Sequence, residues 1–165
     1  MGTELISSNQ DGLVFNAPFA RTQDKPGSEA GTVVSYKKDA NKTIPALLKE
    51  EWVPRDLEDN LQDQIGKSTV KGRFFKNDNK STHYAIGAPK ANILNGSVYI
   101  CYKCFDNDRY EDNKLAKTAS QYDFKIKGIQ VGARFGDALA AADINGDGID
   151  DLIVGAPLSC EKVNF

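Results

Sequence analysis

Ala-Pro pairs recur at Ala17-Pro18, Ala88-Pro89 and Ala156-Pro157, with prolines at 18, 89 and 157, so successive pairs lie 71 and 68 residues apart. Each pair closes a short apolar run: Leu13-Val14-Phe15-Asn16, Tyr84-Ala85-Ile86-Gly87 and Leu152-Ile153-Val154-Gly155. After the first two come a polar loop and a Gly-led run, Gly31-Thr32-Val33-Val34-Ser35-Tyr36 and Gly96-Ser97-Val98-Tyr99-Ile100-Cys101. Upstream, Ile65-Gly66 and Phe135-Gly136 keep a separation of 70. A period near 70 that holds several short strands and turn signals fits one blade of a β-propeller, a four-stranded sheet packed around an axis. Such a blade cannot bury both faces alone and must stack on neighbours. The sequence is therefore read as all-β, an incomplete β-propeller of about two four-stranded antiparallel blades. The end of one repeat falls at 11–38, a complete repeat at 61–126 and the start of a third at 129–165.

The third copy carries a dense acidic loop, Asp143-Ile144-Asn145-Gly146-Asp147-Gly148-Ile149-Asp150-Asp151. Hard cations such as Ca²⁺ take six to eight oxygens, and a short loop supplies them only by curling around the ion. Alternate side chains then point inward. On this reading Asp143, Asn145 and Asp147 give side-chain oxygens, Ile149 its backbone carbonyl, and Asp151 closes the ring, while Gly146 and Gly148 permit the turning. The alternative is an acidic hairpin turn, since Asn-Gly and Asp-Gly are strong hairpin signals. It leaves four carboxylates, on Asp143, Asp147, Asp150 and Asp151, repelling one another without a cation. An EF-hand is excluded: it needs Glu at position twelve and flanking helices, whereas Val154 stands there and the flanks are short apolar runs bounded by breakers. The loop reads as a calcium clasp between two strands.

The middle copy lacks this alternation. Asn77, Asp78 and Asn79 are adjacent and flanked by Lys76 and Lys80, so no metal is expected there, only a turn closed by side-chain to backbone hydrogen bonds. Between the first two copies, Ile44–Asp63 reads as a connection. Leu57, Leu61 and Ile65 fall at the spacing of one face of a short helix, Pro54 ends any longer one, and Trp52 is a candidate anchor against a blade edge. Phe105–Thr118 reads as polar loop, and Gln121–Ile126 alternates as a half-buried strand does.

A net charge of −2 gives nucleic acid or a membrane surface no electrostatic support. No apolar run reaches the roughly 20 residues that span a bilayer, and Met1–Gln10 lacks the basic start and apolar core of an export signal. The three cysteines, Cys101, Cys104 and Cys160, are too few for a disulfide scaffold. Cys101-x-x-Cys104 admits a redox pair, half a zinc site whose four ligands would take His83 and all three cysteines, a structural disulfide or buried thiols. The first two lack context, because polar loop follows the motif and His83 is the sole histidine, read as an ordinary strand residue. Acceptor patterns for N-glycosylation stand at Asn41, Asn79 and Asn95, the last also a hairpin signal.

Phe135-Gly136, the loop Asp143–Asp151 and Gly155-Ala156-Pro157 together resemble an FG-GAP repeat of the integrin alpha chain, and the two earlier copies resemble it more loosely. Ile65 replaces Phe in the middle copy, and Asn16 replaces Gly in the first. The resemblance implies part of a seven-bladed propeller. A copy without the calcium loop followed by one with it implies the middle of the ring, blades three to five. It implies a cell-surface adhesion receptor and no enzyme, paired with an integrin beta subunit, binding extracellular matrix or cell-surface protein ligands and signalling across the membrane. The anchor would lie elsewhere in the parent chain. Calcium, bound by Asp143, Asn145, Asp147, Ile149 and Asp151, would brace the lower side, and the upper face would meet beta subunit and ligand. FG-GAP repeats are also similar to the accessory propeller of glycosylphosphatidylinositol-specific phospholipase D, whose His-rich catalytic cluster has no counterpart here. A secreted, calcium-stabilised binding module is the remaining alternative, and a membrane span downstream would decide against it.

Overall fold

The computed structural model describes residues 5–9, 12–21, 30–38, 47–52, 62–76, 83–102 and 124–160. Ten strands lie among them: β1 (Leu5–Asn9), β2 (Gly12–Ala17), β3 (Thr32–Lys38), β4 (Leu47–Trp52), β5 (Ser68–Gly72), β6 (His83–Ala88), β7 (Ser97–Tyr102), β8 (Phe124–Lys127), β9 (Ala138–Ala142) and β10 (Asp151–Gly155). They form two four-stranded sheets, ordered β1-β2-β3-β4 and β5-β6-β7-β8, and a third sheet of β9 and β10. Neighbours in sequence are neighbours in the sheet and all pair antiparallel. This is the all-β, blade-by-blade layout of an incomplete propeller.

Two expectations need correction. Leu47–Trp52, read as part of a connection, is the outer strand of the first sheet, with Val33 opposite Trp52 and Lys38 opposite Leu47. Ile65, read as the end of a helical face, instead makes a parallel bridge with Gly31. The readings at Asn41, Pro54, Leu57, Leu61, Asn77–Asn79, Cys104, 105–118 and 121–123 lie outside the described residues, as does the side chain of Trp52. The first sheet also opens with β1, ahead of the apolar run at Leu13.

Burial on both faces explains why β6 reads as a continuous apolar run. All six of its residues are buried. Tyr84, Ile86 and Ala88 join Val14, Val33, Ile65, Tyr99 and Cys101 in a core between the first and second sheets. Ala85, with Val98 and Ile100, faces the other way, onto Val70, Phe74, Phe135, Leu139, Leu152 and Val154. The period of two along the strand thus sorts side chains between two inter-blade cores. His83 opens β6 as a buried residue whose ring lies edge-on to Phe75 at 4.8 Å. Cys101 is buried and disulfide-bonded, which removes it from any zinc site, and Cys160 is free and exposed. At the outer edge, β8 is more exposed than the expected half-buried strand, with Phe124 stacked on Phe75 and Lys125 over the Tyr99 ring.

The same main-chain join links each sheet to the next. Gly31 bridges Ile65, and Gly96 bridges Phe135. The Ile65 N–H donates to the Ala30 carbonyl (2.8 Å) and the Phe135 N–H to that of Asn95 (3.2 Å). Gly66 then donates to the Gly87 carbonyl (2.9 Å), and Gly136 to that of Gly155 (3.0 Å). Asn16, which departs from the pattern, is fully buried and accepts from the Thr69 hydroxyl of the second sheet at 2.8 Å, so the departure adds a side-chain bond across the first seam. Across the second seam, the Ser68 hydroxyl donates to the Gly136 carbonyl (2.8 Å).

Asn95 does not form a two-residue hairpin. Its Nδ2 donates to the Gly128 carbonyl (3.1 Å), tying the β6–β7 loop to the segment entering the third sheet, and Ser97 of the same acceptor pattern is fully buried. Asn95→Ala is expected to lower stability by about 1–2 kcal/mol, the cost of a lost bond to a half-buried carbonyl. Denaturant unfolding would register this as a lower midpoint with unchanged slope.

Candidate metal centre

The acidic loop connects β9 to β10 at the end where Ala142 pairs with Asp151. Its position is fixed by the strands: Leu139, Leu152 and Val154 seat them on the second sheet, and the five-residue register leaves the loop at the far end. Asp143 through Gly148 are exposed to solvent.

Within the loop the backbone curls about the first carboxylate. Asp143 Oδ1 accepts from the N–H groups of Gly146 (2.7 Å) and Asp147 (3.1 Å), and Oδ2 from that of Gly148 (2.7 Å). The next two side chains make Asx turns, in which a side-chain oxygen takes the backbone N–H two residues on. Asn145 Oδ1 accepts from Asp147 (2.9 Å), and Asp147 Oδ1 from Ile149 (2.9 Å). Asp151 Oδ2 reaches back to the Ile144 N–H at 3.0 Å, closing the ends. Gly146 (φ 77) and Gly148 (φ 82) supply the left-handed residues that this curl demands.

The donor chemistry fits a hard divalent cation. Asp147 Oδ2, Asp151 Oδ1 and the Ile149 carbonyl accept no hydrogen bond from the described residues, so these three oxygens are not spent, whereas Asp143 and Asn145 already accept backbone N–H groups through the oxygens they would offer a cation. An amide oxygen from Asn145 and a main-chain carbonyl beside carboxylates make an all-oxygen, mixed set of the kind calcium takes. Among the described residues no three His, Cys, Asp or Glu side chains form a ready-made cage, because Asp143 and Asp151 are turned onto backbone amides.

Asp150 does something else. Its Oδ2 accepts from the Arg73 N–H (2.7 Å), and its own N–H donates to the Arg73 carbonyl (2.9 Å). Arg73 follows β5 in the second sheet, 77 residues away. A Cβ on Gly148 would lie 3.3 Å from Arg73 Nη2, so the guanidinium also hangs over the loop and sets a positive charge beside its carboxylates. The sequence marks neither half of this contact, since Asp150 falls at an even loop position and Arg73 offers mainly its backbone.

The opposite end of the sheets has a different character. Ile93, Leu94, Ile129 and Leu158 are exposed there, Ile129 almost completely (99%). Their loops are knitted together by bonds from Gly132 N–H to the Leu94 carbonyl (3.0 Å) and from Leu158 N–H to that of Ala133 (3.2 Å). Asn92, Ile93 and Leu94 are held at φ of 55°, 55° and 65°, a left-handed run that costs roughly 1–2 kcal/mol per residue.

A family profile described as FG-GAP repeat matches residues 135–161. Human integrin alpha-IIb is 35% identical over 153 residues, covering 92% of this chain and 12% of that protein. Drosophila melanogaster integrin alpha-PS2 is 32% identical over 105 residues, 64% of this chain and 6% of its own. Mouse integrin alpha-3 is 60% identical over 37 residues, 22% of this chain and 4% of its own. The chain thus spans only 4% to 12% of the length of these curated relatives. Each of the three is named as an integrin alpha chain, and none as an enzyme.

Proposed function

Because this chain belongs to the integrin-alpha-like FG-GAP repeat proteins, we propose that it is the propeller part of a cell-surface adhesion receptor, with a structural calcium site at Asp143, Asn145, Asp147, Ile149 and Asp151. In this reading 61–126 is a repeat without a calcium loop and 129–165 opens one that has it. The propeller pairs with an integrin beta subunit and contributes to binding an extracellular matrix or cell-surface protein, and it transmits no chemistry of its own. The parent chain holds it outside the plasma membrane; among the described residues no helix is long and apolar enough to cross one.

The observation that carries the calcium reading is the curl of the loop around Asp143, with Asp147, Ile149 and Asp151 each keeping an oxygen unspent. Calcium supplies charge neutralisation and a common centre for those oxygens. The chain's own residues hold them in order and fasten β9 to β10. The partner reading is supported by the exposed Ile93, Leu94, Ile129 and Leu158 on the hydrogen-bonded loops at the other end.

Calorimetry on the full-length protein tests the calcium site. Titration with calcium chloride is expected to give binding in the range of extracellular modules, roughly 10⁻⁴ to 10⁻³ M, and Asp147→Ala is expected to remove the heat assigned to this site. An unchanged isotherm in that variant sinks the assignment. At free calcium ten times the dissociation constant the site would add about 1.4 kcal/mol of stability by mass action.

A further inference from the structure

Of the four carboxylates in the loop, three bind its own backbone and one, Asp150, binds the neighbouring sheet. Asp150 and Arg73 exchange two hydrogen bonds, side chain to N–H at 2.7 Å and N–H to carbonyl at 2.9 Å, so the contact resists both sliding and rotation. We propose that Asp150 is a positioning residue that couples cation binding in the loop to the seam between the second and third sheets. The proposal rests on the calcium reading above.

The coupling runs through one peptide plane. The Ile149 carbonyl, an oxygen for the cation, and the Asp150 N–H, which donates to Arg73, belong to the same rigid amide unit. In a trans peptide they point in opposite directions within that plane. Anchoring the N–H on the Arg73 carbonyl therefore aims the Ile149 oxygen into the loop, and an ion held by that oxygen keeps the N–H on Arg73. The second bond, from Arg73 N–H to Asp150 Oδ2, stops the plane from turning. Asp151, next along the chain, closes the loop through Ile144, so the clasp sits between two groups assigned to the ion. By linkage, whatever calcium contributes to the Arg73 contact, the contact returns to calcium affinity by the same factor.

The test measures amide hydrogen exchange at single-residue resolution and calcium calorimetry on the full-length protein, in calcium chloride and in chelator. In the unmodified protein calcium is expected to slow exchange at Gly146 and Gly148 in the loop, and also at Arg73, outside it, by roughly tenfold, within the span of ordinary coupling. Asp150→Ala is expected to weaken calcium binding by roughly fivefold or more, although Asp150 is not a ligand. Asp150→Asn, which keeps an acceptor oxygen, should restore most of that affinity and guards against a misfolded alanine variant. Arg73 exchange indifferent to calcium while the loop amides respond overturns the coupling and spares the calcium site. Unchanged calcium affinity in both variants overturns it equally. A loop indifferent to calcium brings down the site and the coupling together, and is recognised by the silence of Gly146 and Gly148.

Discussion

Gly96→Ala is expected to destabilise the protein by about 4 kcal/mol, enough to abolish folding of a marginal chain. Gly96 sits at φ 88 and bridges Phe135. A Cβ there would overlap the Phe135 carbonyl oxygen and lie 2.6 Å from the Phe135 amide nitrogen. These are backbone atoms of the next sheet, so no rotamer change relieves the clash; the seam must open. Gly132→Ala separates this from backbone strain. Gly132 has φ 79, yet a methyl group added there would meet nothing within 4 Å, so the change should cost only the left-handed penalty of about 1–2 kcal/mol. Equal losses in the two variants, read by denaturant midpoints, would refute the idea that close main-chain approach governs the join.

Asp143→Ala should have the second largest effect, and the effect should depend on calcium. The carboxylate takes three backbone N–H groups and is also the first oxygen donor of the proposed site. Hydrogen bonds to a charged group are worth about 1.5–3 kcal/mol each when buried, and less at this exposed loop, so about 2 kcal/mol is expected in chelator. In calcium the gap should widen, because the variant gains nothing from the ion. Thermal melts should show the unmodified protein rising with added calcium and Asp143→Ala holding one melting temperature throughout. A variant that still rises with calcium contradicts the role given to Asp143.

The loop is legible in the sequence because its chemistry is local. Nine consecutive residues carry alternating oxygen donors and two glycines, and the Asx turns that shape it connect neighbours along the chain. Strand β6, which ends on Gly-Ala-Pro, is legible for a related reason: burial on both faces leaves the run Tyr84–Ala88 without polar interruption. Leu47–Trp52 is not, since Lys49, Glu50 and Glu51 look like a connection. At the outer edge of a sheet, paired on one side only, a strand is under little pressure to alternate. Nor is the Asn16–Thr69 bond visible, since Asn16 looks only like a lapse in the motif. The Arg73–Asp150 clasp is harder still, because a contact made largely by main-chain atoms leaves no residue type to announce it.

The joins between sheets share that silence, and it bears on how such chains diverge. Ile65 and Phe135 occupy the same place and are held by the same carbonyl and N–H groups, although only the stretch 135–161 matches the FG-GAP profile. A join built from backbone asks its sequence for two glycines and little else. Copies of one unit can therefore differ in side chains, carry or lack an acidic loop, or hold a buried asparagine, and still join through the same main-chain bonds. Counting blades by motif will undercount them, while counting the pairs of left-handed glycines that face a neighbouring carbonyl, Gly31 with Gly66 and Gly96 with Gly136, will not.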